Sequence, residues 1–176
     1  MGETPGNNAR ILDFGNNTNS ANNNLLLRFN GSSGLDLQSY TGSTVGNALS
    51  TPNNALSSSG WNHVTASISD DGIGRIYING ELVAESSSQM HVPNTTTVNN
   101  YVGLSNWETY DPELEALIGE VRIWDHGLSE EEVQQSLAAP LNGDEAGLIY
   151  YAEAYNGSLE NKSTSSAAIS DASLPR

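Results

Sequence analysis

Apolar and polar residues alternate regularly through the middle of the chain, from Trp61 to Val83. In residues 64–69 and again in residues 75–79 every second side chain is apolar, which is the period of a half-buried β-strand. Asn79-Gly80 follows the second run, and both residues tolerate the positive φ angles of a type I′ turn. The pattern predicts an antiparallel meander with one buried face and one solvent-exposed (wet) face. Tyr77 is predicted on the exposed face.

Short apolar runs bounded by turn residues predict the remaining strands. Residues 41–60, rich in Gly, Ser, Asn and Thr, are predicted to be a long connection. Short strands at regular spacing, with turn signals between them, predict an all-β fold: an antiparallel two-sheet β-sandwich of the jelly-roll kind. The other predicted strands are residues 10–14, 25–29, 35–40, 101–104, 117–124 and 147–151.

One short helix is predicted near residues 129–138. Ser129 followed by Glu132 forms a capping-box pattern, in which the hydroxyl accepts from a backbone N–H and the carboxylate bonds back to the cap residue. The acids at 130–132 also suit the positive end of the helix dipole, and Pro140 ends the helix.

Length and composition limit the organisation of the chain. Its 176 residues suit one domain with a two-layer core, which we place at residues 1–162, followed by a flexible Ser/Ala-rich tail at 163–176. There is no run of 18 apolar residues and no basic-then-apolar leader, so neither membrane insertion nor a signal peptide is expected within this sequence.

The charge is strongly negative, with 21 Asp+Glu against six Lys+Arg and a net charge of −15. Such a surface repels phosphate backbones, so nucleic acid is not expected as a partner. It suits divalent cations, although a merely solvated acidic surface explains the charge equally well. The absence of cysteine excludes disulfides and thiol catalysis.

Five segments, taken in order, resemble the concanavalin A-like lectin/glucanase superfamily, in particular its bacterial laminin G-type (LamG-like) jelly rolls. Residues 10–15 (RILDFG) resemble its RIFDFG strand, 61–64 (WNHV) its W-x-H-V strand, 76–80 (IYING) its LYVNG hairpin, 101–107 (YVGLSNW) its YLGRSNW segment, and 118–131 its IDEVRIW…LS-x-EE ending.

The chain departs from this family pattern in two places. The family's usual opening strand, of the type FTIEAWV, has no counterpart in residues 1–9. It lies outside this sequence, or its place is taken by residues 149–155, or an insertion separates it from the rest. The family's Asp-Glu before the VRIW strand is here Gly119-Glu120, so a role that rests on that aspartate does not carry over.

The resemblance implies a calcium ion at the rim of the sandwich. Ca²⁺ prefers six to eight oxygen ligands from carboxylates, amides and carbonyls on flexible loops. Loops 13–24 and 105–115 hold such groups, with a polar loop that bonds its own backbone as the alternative. The predicted ligands are Asp13, Asn23, Asn24, Asn106 and Asp111.

The same 105–116 loop is the best candidate for a glycan site. Sugar binding needs an exposed aromatic face with amide and carboxylate partners for the hydroxyls. Trp107, Tyr110 and Asp111 supply these groups, with Tyr110 the more exposed ring and Trp107 packing as the alternative. Trp61 and Trp124 lie in predicted strands and are expected in the core.

The chain is predicted not to be an enzyme. Glycosidases need two carboxylates about 5–10 Å apart in a cleft, and the E-x-D-x-x-E strand motif of hydrolytic relatives is absent. The three histidines, His63, His91 and His126, do not have the spacing of an HExxH metal site.

The resemblance therefore implies a non-catalytic extracellular module of a larger bacterial surface protein or adhesin. Such a module would be calcium-stabilised and structural or adhesive, with glycan binding as an option. Its expected partners are the neighbouring domains of the same protein and cell-surface glycans. The alternative is a carbohydrate-binding module appended to a secreted glycoside hydrolase.

Overall fold

A computed structural model describes residues 5–31, 33–92, 94–155, 158–164 and 172–173. In these residues the chain forms strands and one helix. The strands are β1 Arg10–Gly15, β2 Leu25–Phe29, β3 Leu35–Thr41, β4 Thr44–Ser50, β5 Val64–Ile68, β6 Gly74–Ile78, β7 Glu81–Glu85, β8 Asn99–Val102, β9 Glu120–Trp124, β10 Leu148–Tyr155, β11 Ser158–Asn161 and β12 Ala172–Ser173; the helix is α1 Glu130–Ala138.

The strands form two layers, and the front layer is one antiparallel sheet in the order β4-β3-β2-β1-β8. Leu27 on β2 lies opposite Leu37 on β3, and both are buried against the back layer. The alternating residues of these strands face outward, so this sheet has one surface in the core and one on the outside.

The back layer consists of two separate sheets. We call β5-β6-β7 the first back sheet and β12-β11-β10-β9 the second back sheet. Ile76 of the first packs into one core cluster, and Val121 of the second packs into another. Leu12 and Ile118 contact both clusters and join them into one core.

These features confirm the predicted all-β, two-layer fold with one short helix. The turn at Asn79-Gly80 also has the predicted positive φ angles, 53° and 84°. The predicted long connection at 41–60 is wrong in part, because β4 occupies Thr44–Ser50. The weak apolar signal of β4 reflects its place at the edge of the front sheet, where most of its side chains are exposed.

The helix begins with the predicted capping box. The Ser129 side chain accepts from the Glu132 N–H, and the Glu132 carboxylate accepts from the Ser129 N–H. Val133 packs with Leu128 and Tyr77 in a small cluster on the outer surface of the first back sheet. Tyr77, predicted on a wet face, is therefore buried, because the helix covers that face.

Trp61 was expected in the core, and this prediction is wrong. It precedes β5 and its side chain is 68% exposed, while Trp124 is half-buried in β9. Of the predicted tail, Ala172–Ser173 pairs with β11, and residues 165–171 and 174–176 lie outside the described residues. No helix in the described ranges is both long enough and apolar enough to cross a membrane.

Candidate functional site

Residues 103–114, here called the outer loop, follow β8 at the edge of the front sheet and contact β1, and Leu114 at the end of the loop packs into the core. The base of the loop is closed by a hydrogen bond from Leu114 N to Gly103 O, 3.0 Å. Its middle is fixed to β1, because Asn106 N donates to Asp13 Oδ2 at 2.9 Å. The loop is therefore held to the sheet at several points along its length.

A buried arginine joins the outer loop to the sheet. Arg10 Nη2 lies 2.7 Å from Asp111 Oδ2, and Arg10 Nε lies 3.5 Å from Asp13 Oδ2. The side chains of Arg10, Asp13 and Asp111 are 5%, 0% and 8% exposed. Burial lowers the pKa of Arg10, and the two carboxylates act against that shift. This buried ion pair, which we call the Arg10 network, fixes the loop to β1.

Asparagine side chains complete the hydrogen bonding of Asp13. Its Oδ1 accepts from Asn24 Nδ2 at 2.8 Å, and Asn24 Oδ1 in turn accepts from the Asn22 N–H at 2.8 Å. A Cβ on Gly15 would lie 2.2 Å from Asn24 Nδ2, so only glycine leaves room for this pair. Both Asp13 oxygens thus have protein partners.

Two aromatic rings lie beside the Arg10 network, and a third lies on the outer loop. The rings of Tyr40 and Trp107 are 5.6 Å apart between centroids, at 48°, and the Arg10 guanidinium lies 5.2 Å from the Trp107 ring. Tyr110 lies three residues along the outer loop, at a turn closed by Tyr110 N to Trp107 O, 2.8 Å. Its side chain is 75% exposed. We call Tyr40, Trp107 and Tyr110 the aromatic strip.

Tyr40 adds a neutral hydroxyl group to the strip. Burial raises the pKa of the Tyr40 phenol, which therefore keeps its proton. The hydroxyl lies 3.4 Å from Gln38 Oε1, at the long end of hydrogen-bond range. A protonated phenol next to a half-buried indole can donate to an incoming hydroxyl while the ring faces pack against apolar surface.

These contacts give the three predicted glycan residues different roles. Tyr110 has the expected exposed ring, and Trp107 is half-buried between Arg10 and Tyr40. The carboxylate of Asp111 is bound to Arg10 and to Ser105 Oγ, at 2.7 and 2.8 Å. Asp111 therefore anchors the loop, and its Oδ2 is not free for a ligand.

The predicted calcium ligands do not fit the metal. The fold brings four of them together as predicted: Asp13, Asn24, Asn106 and Asp111. The two carboxylates, of Asp13 and Asp111, face the guanidinium of Arg10. Asn23 lies apart from them, and its Oδ1 accepts from the Gly42 N–H at 2.7 Å. The described residues contain no group of three or more His, Cys, Asp or Glu that could hold a metal ion.

Two residues of this site were missed from the sequence. In the sequence, Arg10 is only the first residue of a predicted strand. The residues next to it in the chain do not indicate that it contacts Asp111, 101 positions away. Tyr40 ends an alternating strand, and its outward position follows from the register of β3, which brings Tyr40 opposite Val45 after a bulge. Only tertiary structure relates these residues to Trp107.

A second pair of carboxylates lies on the second back sheet. Glu120 on β9 is directly opposite Glu153 on β10. Glu120 pairs with Arg122 at 2.9 Å, and Glu153 pairs with Lys162 and with the Tyr151 hydroxyl. Bonds from Lys162 and Tyr151 lower the pKa of Glu153, while burial and the bond to Glu153 raise the pKa of Tyr151 to about 12. Glu153 is therefore held in its ionised form.

Comparison with known proteins places this fold. A laminin G-type family model, described as the Concanavalin A-like lectin/glucanases superfamily, matches residues 1–134. A solved protein from Bacteroides ovatus, described as "a putative carbohydrate binding protein", superposes with a TM-score of 0.56 at 16% sequence identity over 89% of this chain. The chain spans 47% of that protein, and at this identity the likeness shows the fold alone. No functionally curated protein matches the sequence.

The family match covers most of the chain, and its region includes β1, the outer loop and the capped start of α1. The sandwich topology agrees with it. The chain therefore belongs to the concanavalin A-like lectin/glucanases superfamily.

Proposed function

We propose that this domain is a non-catalytic carbohydrate-binding module that holds a glycan on the aromatic strip. The observation that carries the proposal is Tyr110, a 75% exposed ring on a loop that a buried ion pair fixes to the sheet. Tyrosine rings supply a large contact area with a polar tip, and a loop already fixed to the sheet lowers the entropy cost of ordering on binding.

The chemistry of the strip suits a sugar. The flat faces of pyranose rings carry C–H groups that pack on aromatic rings, and the sugar hydroxyls need donors and acceptors around them. Tyr40 offers a protonated hydroxyl, and the exposed Tyr110 carries a further phenol group that can form hydrogen bonds with a sugar. The superfamily includes lectins, and the Bacteroides ovatus neighbour is described as carbohydrate binding, which supports this class of ligand.

Hydrolysis is the alternative that the superfamily allows, since its description includes glucanases. A glycosidase needs a pair of carboxylates, and Glu120 and Glu153 lie opposite each other on β9 and β10. A general acid needs a raised pKa, whereas the pKa of Glu153 is lowered and each acid is paired with a cation. These contacts favour a binding role over a catalytic one.

We propose that the module belongs to a larger extracellular protein, either a surface adhesin or a secreted glycoside hydrolase. In the first case the strip would attach the protein to cell-surface glycans. In the second it would hold the enzyme on its polysaccharide. Both uses need the same exposed strip.

Affinity electrophoresis on gels that contain soluble polysaccharides tests the proposal. The intact chain should be retarded by at least one polysaccharide, and Tyr110→Ala should abolish the retardation while leaving the melting temperature unchanged. Retardation that survives in Tyr110→Ala, or a panel of plant and bacterial polysaccharides with no retardation, would overturn it. Release of reducing sugar from a retarding polysaccharide would instead support hydrolysis.

A further inference from the structure

The cations of this chain are few, and none of those in the described ranges is free of a carboxylate partner. The sequence holds six Lys+Arg against 21 Asp+Glu. Five of the six lie in the described ranges, and each forms an ion pair: Arg10, Arg28, Arg75, Arg122 and Lys162. Two of them, Arg10 and Arg28, lie near the aromatic strip, and their pairing bears on the charge that a bound glycan can carry.

Arg28 is the cation near the strip that a ligand could reach. It lies on β2 opposite Arg10 on β1, and its side chain is 22% exposed, against 5% for Arg10. Burial raises the pKa of the Tyr40 phenol, and the charges of Arg10 and Arg28 act against that shift. Both cations therefore act on the end of the strip that holds Tyr40.

Protein acceptors occupy the Arg28 guanidinium. Asp36 Oδ2 accepts from Nε at 3.2 Å and from Nη2 at 2.8 Å. The remaining nitrogen, Nη1, donates to Asn8 Oδ1. Each of the three nitrogens thus has an acceptor within the protein, and an anion from solution would have to displace one of them.

Asn8 joins the two arginines. Its backbone O accepts from Arg10 Nη1 at 2.9 Å, and its side chain accepts from Arg28. Asn8 has a φ angle of 72°, in the left-handed region that asparagine adopts more readily than most residues. Asp111 bonds to Arg10 Nη2, and Asp13 faces Nε. Arg10, like Arg28, therefore faces a protein acceptor at every nitrogen.

The charge balance around the strip is negative. Arg10 and Arg28 supply two positive charges, and three aspartates supply three negative ones: Asp13, Asp36 and Asp111. Three exposed carboxylates lie within five residues of Tyr110 in the sequence, and none of them forms an ion pair with a described cation: Glu108, Glu113 and Glu115. An anionic group at this surface would meet like charges with no free cation to pair with, which weakens binding.

We propose that the glycan held on the aromatic strip is uncharged, a polymer of neutral hexoses or pentoses, and that the ion pairs of Arg10 and Arg28 exclude polymers of uronic acids and sulfated sugars. This inference rests on the function proposed above. The groups left for a ligand at the strip are ring faces and the phenols of Tyr40 and Tyr110, which suit the C–H faces and hydroxyls of neutral sugars.

The net charge of −15 offers a second reason for the rejection of anionic glycans, and salt separates the two. Repulsion by the whole molecule is screened at high ionic strength, where the Debye length is about 3 Å at 1 M. A carboxylate that contacts the strip without a cation still loses its hydration in salt. Selectivity set by the site therefore persists in about 1 M NaCl.

Frontal affinity chromatography of the intact 176-residue chain on immobilised polysaccharides, in low salt and in high salt, tests the inference. Galactomannan, xyloglucan and mixed-linkage glucan are the neutral polymers, and polygalacturonate and alginate are the uronate polymers. At least one neutral polymer should retain the chain, and neither uronate polymer should do so at either salt concentration. Oxidation of primary hydroxyls of the retaining polymer to carboxylates should weaken retention by about tenfold or more, and methyl esterification of those carboxylates should restore it.

Tyr110→Ala identifies the retention that depends on the strip. Retention on a uronate polymer that is lost in Tyr110→Ala would overturn this inference and leave the proposed glycan-binding function standing. Equal retention on the retaining polymer before and after oxidation would do the same. A chain that no polymer retains would overturn both.

Asp36→Asn should convert the selectivity, because it removes the carboxylate that occupies Arg28. This variant should gain retention on polygalacturonate and keep its retention on the neutral polymer. Glu85→Gln is the matched control, since it removes the same charge from a pair of equal length, 2.8 Å, and frees Arg75 in the first back sheet. It should gain nothing. A folded Asp36→Asn that still rejects polygalacturonate would overturn the role of the ion pairs; if its melting curve shows that it does not fold, the oxidised polymer decides.

Discussion

Arg10 is the residue on which the proposed site depends most. Its guanidinium is buried between Asp13 and Asp111 and contacts the face of Trp107, so one side chain fixes β1, the outer loop and the aromatic strip. A buried charge that loses its partner is strongly destabilising, because the remaining carboxylates then lie in an apolar environment.

Arg10→Ala should therefore reduce the free energy of unfolding by about 3–5 kcal/mol. Arg10→Lys keeps the charge but lacks the planar guanidinium group that bonds two carboxylates, so it should reduce the free energy of unfolding by a smaller amount. Urea denaturation of the three proteins measures the difference. A loss below about 1 kcal/mol in Arg10→Ala would show that the ion pair does not anchor the loop.

His63 gives the domain a pH-dependent stability at the residue scale. Burial, together with Arg122, lowers the pKa of His63, and its Nδ1 is buried without a partner. The folded state therefore binds the proton less well than the unfolded state. The contribution to stability is complete above the pKa of the unfolded state, about 6.5, and is lost as the pH falls.

Replacing His63 with Gln removes this titration. From pH 7 to pH 5 the melting temperature of the intact chain should fall further than that of His63→Gln. His126, whose pKa is raised chiefly by Asp125, acts in the opposite direction and is unchanged in both proteins. Equal pH dependence of the two proteins, measured by circular dichroism, would contradict the assignment.

At the scale of elements, the helix and the turns were predictable from sequence, and the tertiary relations were not. Ser129 and Glu132 are three residues apart, so their capping box is visible in the sequence and is confirmed. Tyr77 was assigned to the wet face because its strand alternates, and only the docking of α1 shows that this face is covered. The capping box could be predicted because its two residues are close together in the chain.

In the candidate site, too, the tertiary contacts could not be predicted from the sequence. The exposure of Tyr110 was expected because it lies in a polar loop. The role of Arg10 could not be predicted, because its partner Asp111 is 101 residues away in the sequence. The calcium prediction collected oxygen-bearing side chains without the arginine that lies between them. Trp61 was placed in the core because it adjoins a strand pattern, but it precedes β5 and its side chain is exposed.

The capping box of α1 should contribute measurably to stability. Ser129→Ala removes the side-chain acceptor for the Glu132 N–H and should cost about 1 kcal/mol, or roughly 2–4 °C in melting temperature for a domain of this size. Ser88→Ala, at an exposed position in a loop, is the control and should be neutral. A neutral Ser129→Ala would mean that packing alone holds the helix against Tyr77.

At the scale of the whole molecule, the Arg10 network supplies the cation that a rim site would otherwise take from solution. The melting temperature should therefore be the same in Ca²⁺ and in EDTA, within about 1 °C. A ligand held only by the folded state at a hundredfold excess over its Kd adds about 2.7 kcal/mol, which would raise the midpoint by roughly 5–10 °C. A rise of that size would reveal a calcium site outside the predicted ligands.

The central claim is that Tyr110 on the aromatic strip holds a glycan, and a glycan array tests it most directly. Labelled intact chain, Tyr110→Ala and Trp61→Ala are compared, the last as a control because Trp61 is a similarly exposed aromatic residue elsewhere. We predict glycan signals for the intact chain that persist in Trp61→Ala and fall at least tenfold in Tyr110→Ala. Signals that persist in Tyr110→Ala and vanish in Trp61→Ala would contradict the account.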